Sequence, residues 1–330
     1  MRVLLTGSAG FIGHHIVAKF LNETEATVVG LDRLSHSGNL NRIKEILTPE
    51  TESRYSVIHH DLRSEINDQL SKQLGQFDYI LHVAASSHVD RSIDDPLSFV
   101  LDNVVGTCNV LNFARKQMGL KMFVYFSTDE VFGPAPPGVS YTEYDRYNCT
   151  NPYSACKAGG EELAVAFQNT YNMPIVITHT MNVFGPRQHP EKYIPMCVNK
   201  IENGQTISIH ADSTCATPGS RCYIHAEDVA DALLFITKLD VGRKKALCPK
   251  FNIVGKEEVD NLTLAQYIAA AVGKDLKYKL VDFHSARPGH DLRYAMSGKL
   301  LEELGWQPKK SVKDRIKEVV DWTLSHPTWM

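Results

Sequence analysis

A chain of 330 residues, 43% hydrophobic and 22% charged, can bury a sizeable core and has the composition of an ordinary globular protein. Its formal net charge of −3, with no basic run, argues against a nucleic-acid partner. Seven cysteines without a C-x-x-C pair fit reduced thiols better than a disulfide frame or a zinc site, and no metal is expected.

The N-terminus passes from Met1-Arg2 into Val3-Leu4-Leu5 and meets Gly7, an apolar run too short for a signal peptide. No run of about 18 apolar residues stands out, so a cytoplasmic protein with no membrane partner is expected. Sequons at Asn22, Asn148 and Asn261 then read as chance matches.

Short β-branched runs predict strands over 3–6, 27–31, 55–59, 79–83, 122–127 and 175–179. Amphipathic stretches between them predict helices near 11–22, 39–47, 64–74, 97–118 and 152–171. Strict alternation implies parallel pairing through right-handed crossovers, hence a doubly wound α/β sheet. After residue 180 the rhythm breaks at Pro186, Pro190 and Pro195. There follow a helix near 193–203, a strand at 206–210, a polar loop over 211–220 and a helix at 226–239. A strand at 251–253 and helices at 263–272, 299–304 and 312–325 complete the chain. Residues 1–180 are read as one unit to which a segment near 221–240 returns, and 181–330 as mainly a smaller α/β cap.

Gly7-Ser8-Ala9-Gly10-Phe11-Ile12-Gly13 follows the first strand and opens the first helix. Glycines there let the turn close and let backbone approach a pyrophosphate, while the helix N-terminus offers N–H groups. Asp32, at the tip of the second strand, suits the ribose hydroxyls of NAD and repels a 2′-phosphate. Arg33 beside it pulls the other way, because an arginine there can hold that phosphate. The G-x-x-G-x-x-G spacing resembles the extended short-chain dehydrogenase/reductase pattern. In that family Asp61 and Leu62 would lie at the adenine, and Ala84-Ala85 would give room beside the cofactor.

Ser127-Thr128-Asp129-Glu130 ends the fifth strand, and two adjacent acids at a strand end are either solvated charges or site groups. Tyr153 and Lys157, four apart at the start of the next helix, share one face. An ammonium near a phenol lowers its pKa, so the tyrosine could act as a base. Two carboxyls held in different protonation states can supply an acid and a base together.

These motifs resemble nucleotide-sugar 4,6-dehydratases of the dTDP-glucose and UDP-glucose type. Ser127–Gly133 matches that family's S-T-D-E-V-Y-G, and Ser87-His88-Val89-Asp90-Arg91-Ser92 matches its loop after the fourth strand. Pro190-Glu191-Lys192-Tyr193-Ile194-Pro195 and Arg287-Pro288-Gly289-His290-Asp291 resemble its later segments. The resemblance implies bound NAD, with Tyr153, Thr128 and Lys157 serving oxidation at sugar C4. Glu130 would be the base at C5 and Asp129 the acid at C6, giving a 4-keto-6-deoxy sugar. It also implies substrate contacts from Ser87, Thr128, Asn182, Glu191, Lys192, Arg221, Asn252, Arg287 and His290. A homodimer would form through the helices at 97–118 and 152–171. Departures at Ser86, Val183 and Cys156, and in the segment from Arg221 to His225, leave the base and sugar open. A 4-epimerase would share Tyr153 and Lys157 without needing the acid pair. A non-catalytic NAD-binding sensor would need neither.

Overall fold

The computed structural model describes residues 1–241, 247–282 and 292–330. Seven parallel strands form the central sheet: β1 (Arg2–Thr6), β2 (Thr27–Asp32), β3 (Tyr55–His59), β4 (Tyr79–His82), β5 (Met122–Thr128), β6 (Ile175–Thr180) and β7 (Lys250–Ile253). Their order is β7-β6-β5-β4-β1-β2-β3. The chain moves outward from β1 to β3, then crosses back to β4 and moves the other way. The carboxyl ends of β1 and β4 therefore flank the switch point, where open α/β sheets form a ligand crevice. All seven residues of β5 are buried, as expected for a strand covered on both faces.

The expected doubly wound sheet is present, with differences at its helices. The predicted helix at 64–74 shortens to Asp68–Leu74, because Asn67 accepts from the Leu70 N–H at 2.9 Å and caps it there. The predicted helix at 39–47 is reduced to Leu40–Lys44, and Pro49–Glu52 forms a separate turn. The long helix at 97–118 breaks into Pro96–Val100, a wide π-type turn at Leu101–Val105, and Gly106–Ala114. By length and composition, Pro96–Ala114 is apolar enough to cross a membrane. In the fold it buries Phe99, Val110, Leu111, Phe113 and Ala114.

In the second half, β7 returns as the edge strand beside β6, and the helix Ala226–Ile236 packs against the helix Phe11–Glu23. The rest gathers around its own apolar cluster, including Phe184, Ile194, Ile207, Leu264 and Ile316. Short strands link it: Ile207–Ala211 beside Tyr278–Asp282, and Ser220–Cys222 beside Glu258–Asp260. All seven cysteines are free thiols.

Phe20 is fully buried among Val17, Val229 and Leu233 in the larger apolar cluster. Phe20→Ala should lower the unfolding free energy by about 3–5 kcal/mol, measured by urea denaturation.

Candidate active site

The glycine turn is sterically committed. Gly7 has φ +74°, and a Cβ on it would lie 2.9 Å from the Ala84 Cα. A Cβ on Gly13 would lie 2.0 Å from the Gly7 carbonyl oxygen, so only glycine lets helix and strand meet this closely. Gly10 precedes the helix with no side-chain cap, leaving backbone at its entrance. At the end of β2, Asp32 is fixed by N–H groups of Ala9 (3.0 Å) and Leu34 (2.8 Å).

These groups line a cavity of about 320 Å³. Its wall contains the predicted cofactor residues Gly7, Gly10, Phe11, Ile12, Gly13, Asp32, Asp61, Leu62, Ala84 and Ala85. Ser87, Tyr153, Lys157, Glu191 and Lys192 line it as well. A glycine cradle, a helix N-terminus and a carboxylate at the next strand end fit a dinucleotide. Residues that the motifs did not reveal also line it, among them Ser35, Ser37 and Gly38 after Asp32, then Arg42, and Asp102 from the wide turn. The polar loop after Asp32 was a usable signal; Arg42 and Asp102 had none.

The catalytic end is built by β5. Beyond Thr128 the chain enters a 3₁₀ turn, Asp129–Phe132, and Thr128 Oγ1 both receives the Glu130 N–H (3.4 Å) and donates to Asp129 Oδ1 (3.0 Å). Asp129 is buried, and its Oδ2 has no hydrogen-bond partner among the described residues. Burial raises its pKa to about 6, against the pull of Arg221 and the Thr128 hydroxyl. Glu130 is only half-buried, and the Asn151 amide donates to its Oε2 at 3.0 Å. The two neighbouring acids thus sit in unlike surroundings.

Asn151 also caps the helix Pro152–Tyr171 by accepting from the Ser154 N–H, which places Tyr153 in the first turn. Lys157 lies one turn on, its Nζ donating to the Phe126 carbonyl at 2.6 Å and resting 4.4 Å from the centre of the Tyr125 ring. Burial lowers this ammonium to about 8, opposed by Glu161. The expected lowering of the Tyr153 phenol is not seen. Burial first, then Glu130, push its pKa up, and the Thr128 hydroxyl opposes them.

Asn252 is a second correction. It is wholly buried, with Oδ1 facing His179 Nδ1 at 2.9 Å and its amide donating to the Tyr141 and Ser297 carbonyls, both at 3.2 Å. Its polar atoms are spent bracing the sheet; like it, Thr128, Asp129, Glu130, Asn182 and Arg221 lie outside the lining of the 320 Å³ cavity, which Ser127, Tyr153 and Lys157 reach. Arg221 lies close enough to Asp129 to act on its charge, while its Nη1 donates to the carbonyls of Ser220 (2.7 Å) and Leu292 (2.6 Å). The Asn182 side chain is exposed beyond β6. Arg287 and His290 lie outside the described residues. His36, His189 and Glu191 bring ligand atoms within 4.8 Å of one another, but Arg91 pairs with Glu191 at 3.0 Å and Lys192 adjoins it. That surrounding charge suits an anion better than a metal ion.

Comparison with known proteins identifies the family and the fold. Residues 4–319 match the family model described as GDP-mannose 4,6 dehydratase. A dTDP-glucose 4,6-dehydratase of Salmonella typhimurium is 34% identical, covering 100% of this chain and 94% of that protein. The crystal structure of DesIV, a dTDP-glucose 4,6-dehydratase from Streptomyces venezuelae solved with NAD, superimposes with a TM-score of 0.86 at 34% identity, covering 100% of this chain and 98% of that one. A UDP-glucose 4-epimerase from Thermus thermophilus, also with NAD, gives 0.86 at 27% identity, covering 99% and 100%. The chain, from its glycine turn to its last helix, belongs to the GDP-mannose 4,6 dehydratase family.

Proposed function

We propose that this protein is an NAD-dependent lyase that removes water from a nucleotide-diphosphate hexose, dTDP- or UDP-glucose or a close relative, to give the 4-keto-6-deoxy sugar. The observation that carries the reading is Asp129: a buried carboxyl with one unpartnered oxygen and a pKa raised to about 6, next in sequence to the more accessible Glu130.

A bound nicotinamide dinucleotide supplies reversible oxidation of the sugar. Gly7, Gly10 and Gly13 would hold its pyrophosphate and Asp32 its ribose. Tyr153 is placed to accept the proton of the sugar 4-hydroxyl, with Thr128 hydrogen-bonded to the phenol; because burial raises that phenol, the step needs the positive charge of Lys157 together with that of the oxidised nicotinamide ring to lower it in the loaded site. The 4-keto group then acidifies the C5–H bond. Glu130 takes that proton while Asp129 gives its own to the 6-hydroxyl, which departs as water; one C–H and one C–O bond break and a C5–C6 double bond forms. The C5–C6 double bond is saturated when Glu130 returns its proton to C5 and the hydride equivalent taken from C4 is given back at C6, which the bound dinucleotide would supply; passage of the Tyr153 proton back to Asp129 through solvent restores both groups. A carboxyl that holds its proton toward neutral pH is suited to the acid role, and a partly solvated neighbour to the base role. Ser87, Asn182, Glu191, Lys192 and Arg221 are proposed to grip the sugar nucleotide.

The 4-epimerase reading is favoured by fold likeness alone and leaves Asp129 and Glu130 without a task. The protein is further proposed to be a cytoplasmic homodimer. Leu97, Val100 and Ile93 are 66%, 40% and 41% exposed on the segment beside the helix Pro152–Tyr171, an apolar face suited to a second copy.

Incubation with dTDP-glucose and UDP-glucose should yield a 4-keto-6-deoxy product from at least one, read by mass spectrometry; recovery of only the C4 epimer overturns the dehydratase reading. Glu130→Gln should keep NAD binding while elimination falls roughly 10²- to 10⁴-fold, measured as product formed in a single turnover. Asp129→Asn should change the pH dependence of stability. The carboxyl is raised in the fold from an ordinary 3.8 to about 6, so its protonated form stabilises fully below the lower value and that contribution is lost as pH climbs through the upper one. The variant should therefore gain stability relative to the parent between pH 4 and pH 8, by about 2–3 kcal/mol, as followed by thermal melts.

A further inference from the structure

Selection between dinucleotides with and without a 2′-phosphate is usually assigned to the residue at the end of the second strand. Here that position reads Asp32-Arg33, which gives contradictory signals: the carboxylate repels the phosphate and the guanidinium could bind it. The structure shows what Arg33 is doing. Its Nη1 and Nη2 donate to Asp102 Oδ1 and Oδ2 at 2.7 and 2.8 Å, a bidentate pair bridging 69 positions of sequence. The same carboxylate receives Arg63 Nε at 2.6 Å and the Ser86 hydroxyl. Asp102 has a side chain only 7% exposed, whereas those of Arg33 and Arg63 are 29% and 36% exposed. Asp61 lies 3.8 Å from Arg33 and adds a further negative charge.

Arg33, Asp61, Leu62, Ser86 and Asp102 all line the cavity at the end that Asp32 marks. The position of Asp102 is set by the wide turn that carries it. Its neighbour Asn103 binds the Ser86 N–H at 2.8 Å and the Ser86 carbonyl at 2.9 Å, pinning that turn to the strand end. Arg42, the other guanidinium near Asp32, donates to the carbonyls of Ser37, Ala9 and Arg187. Two carboxylates, Asp102 and Asp61, thus stand against Arg33 and Arg63, and both guanidiniums are already engaged. Burial would raise the Asp102 carboxyl, but hydrogen bonds from Arg63, Arg33 and Ser86 outweigh it and hold it below the usual carboxylate range, so it stays charged at neutral pH.

We propose that Asp102 is a specificity-determining residue: by occupying Arg33 in a bidentate pair, it denies that guanidinium to a 2′-phosphate and commits the site to NAD over NADP. The proposal rests on the dinucleotide reading of the cavity. Asp32 supplies the direct repulsion, and Asp102 removes the attraction that would otherwise compete with it.

The test is calorimetric titration of the cofactor-stripped full chain with NAD and with NADP, for the parent, Asp102→Asn, Asp102→Ala and the Arg33→Ala/Asp102→Ala double variant. The parent should prefer NAD. Both single variants should bind NADP about ten- to a hundredfold better relative to NAD, as expected when charge-assisted bonds to a phosphate become available. The double variant should lose most of that gain, which separates release of Arg33 from general loosening of the pocket. If Asp102→Ala does not fold, the near-isosteric Asp102→Asn carries the comparison, with a cooperative melt and retained NAD binding as its folding controls. An unchanged ratio in a folded single variant, or a gain that persists without Arg33, overturns the proposal. A parent that binds NADP as tightly as NAD overturns it while leaving the dinucleotide reading intact. A parent that binds neither removes both.

Discussion

The catalytic end depends on one buried carboxylate. Glu161 is fully inaccessible, two helical turns beyond Tyr153 and one beyond Lys157 on the same face. It accepts from Ser127 at the end of β5, from Tyr147 in the preceding loop and from His179 on β6 at 3.2 Å, and it pairs with Lys250 of β7 at 3.5 Å. Burial alone would protonate it, yet His179, Lys250 and Ser127 hold its pKa at about 2. A buried charge is tolerable only when its lone pairs are satisfied, and this one draws partners from three strands. Those partners fix the helix against the sheet, and with it the distance from Tyr153 and Lys157 to Thr128. Asn252 belongs to this bracing through His179.

From that frame, two adjacent residues acquire different chemistry with no special covalent feature. Asp129 turns inward under the 3₁₀ turn and becomes a weak acid; Glu130 turns toward the Asn151 amide and remains partly solvated. The separation is made by backbone geometry at a strand end, since side chains alternate and a tight turn then redirects them. Asn151 couples the two halves of the site: its carbonyl oxygen caps the helix that presents Tyr153, and its amide steadies Glu130.

Much of this was legible in the sequence, because the signals are local. β-branched runs, the glycine turn, the Asp32 position and the Thr128-Asp129-Glu130 and Tyr153–Lys157 motifs each reflect contacts among near neighbours. What could not be read were long-range pairings. Nothing in the composition of 97–118 announces that Asp102 meets Arg33, or that Glu161 meets Lys250. Asn252 was misplaced for the same reason: an asparagine that satisfies buried carbonyls looks, in sequence, like one that binds a sugar. The phenol of Tyr153 was expected to fall under the influence of Lys157, but desolvation dominates in so closed a pocket.

The wide turn at Leu101–Val105 has a further consequence for how this protein can vary. An added residue in one turn offsets the two halves of a helix by about 100°. The first half buries Phe99 and exposes Leu97 and Val100, the second buries Val110, Leu111 and Phe113, and the polar pair Asp102-Asn103 sits at the joint. Insertions and deletions elsewhere on the surface only change lengths. Here the loss of one residue would bring the halves back into phase, exchanging what faces the core, the nucleotide and the outside all at once. The segment behaves as a mechanical key whose register, more than its composition, is under constraint.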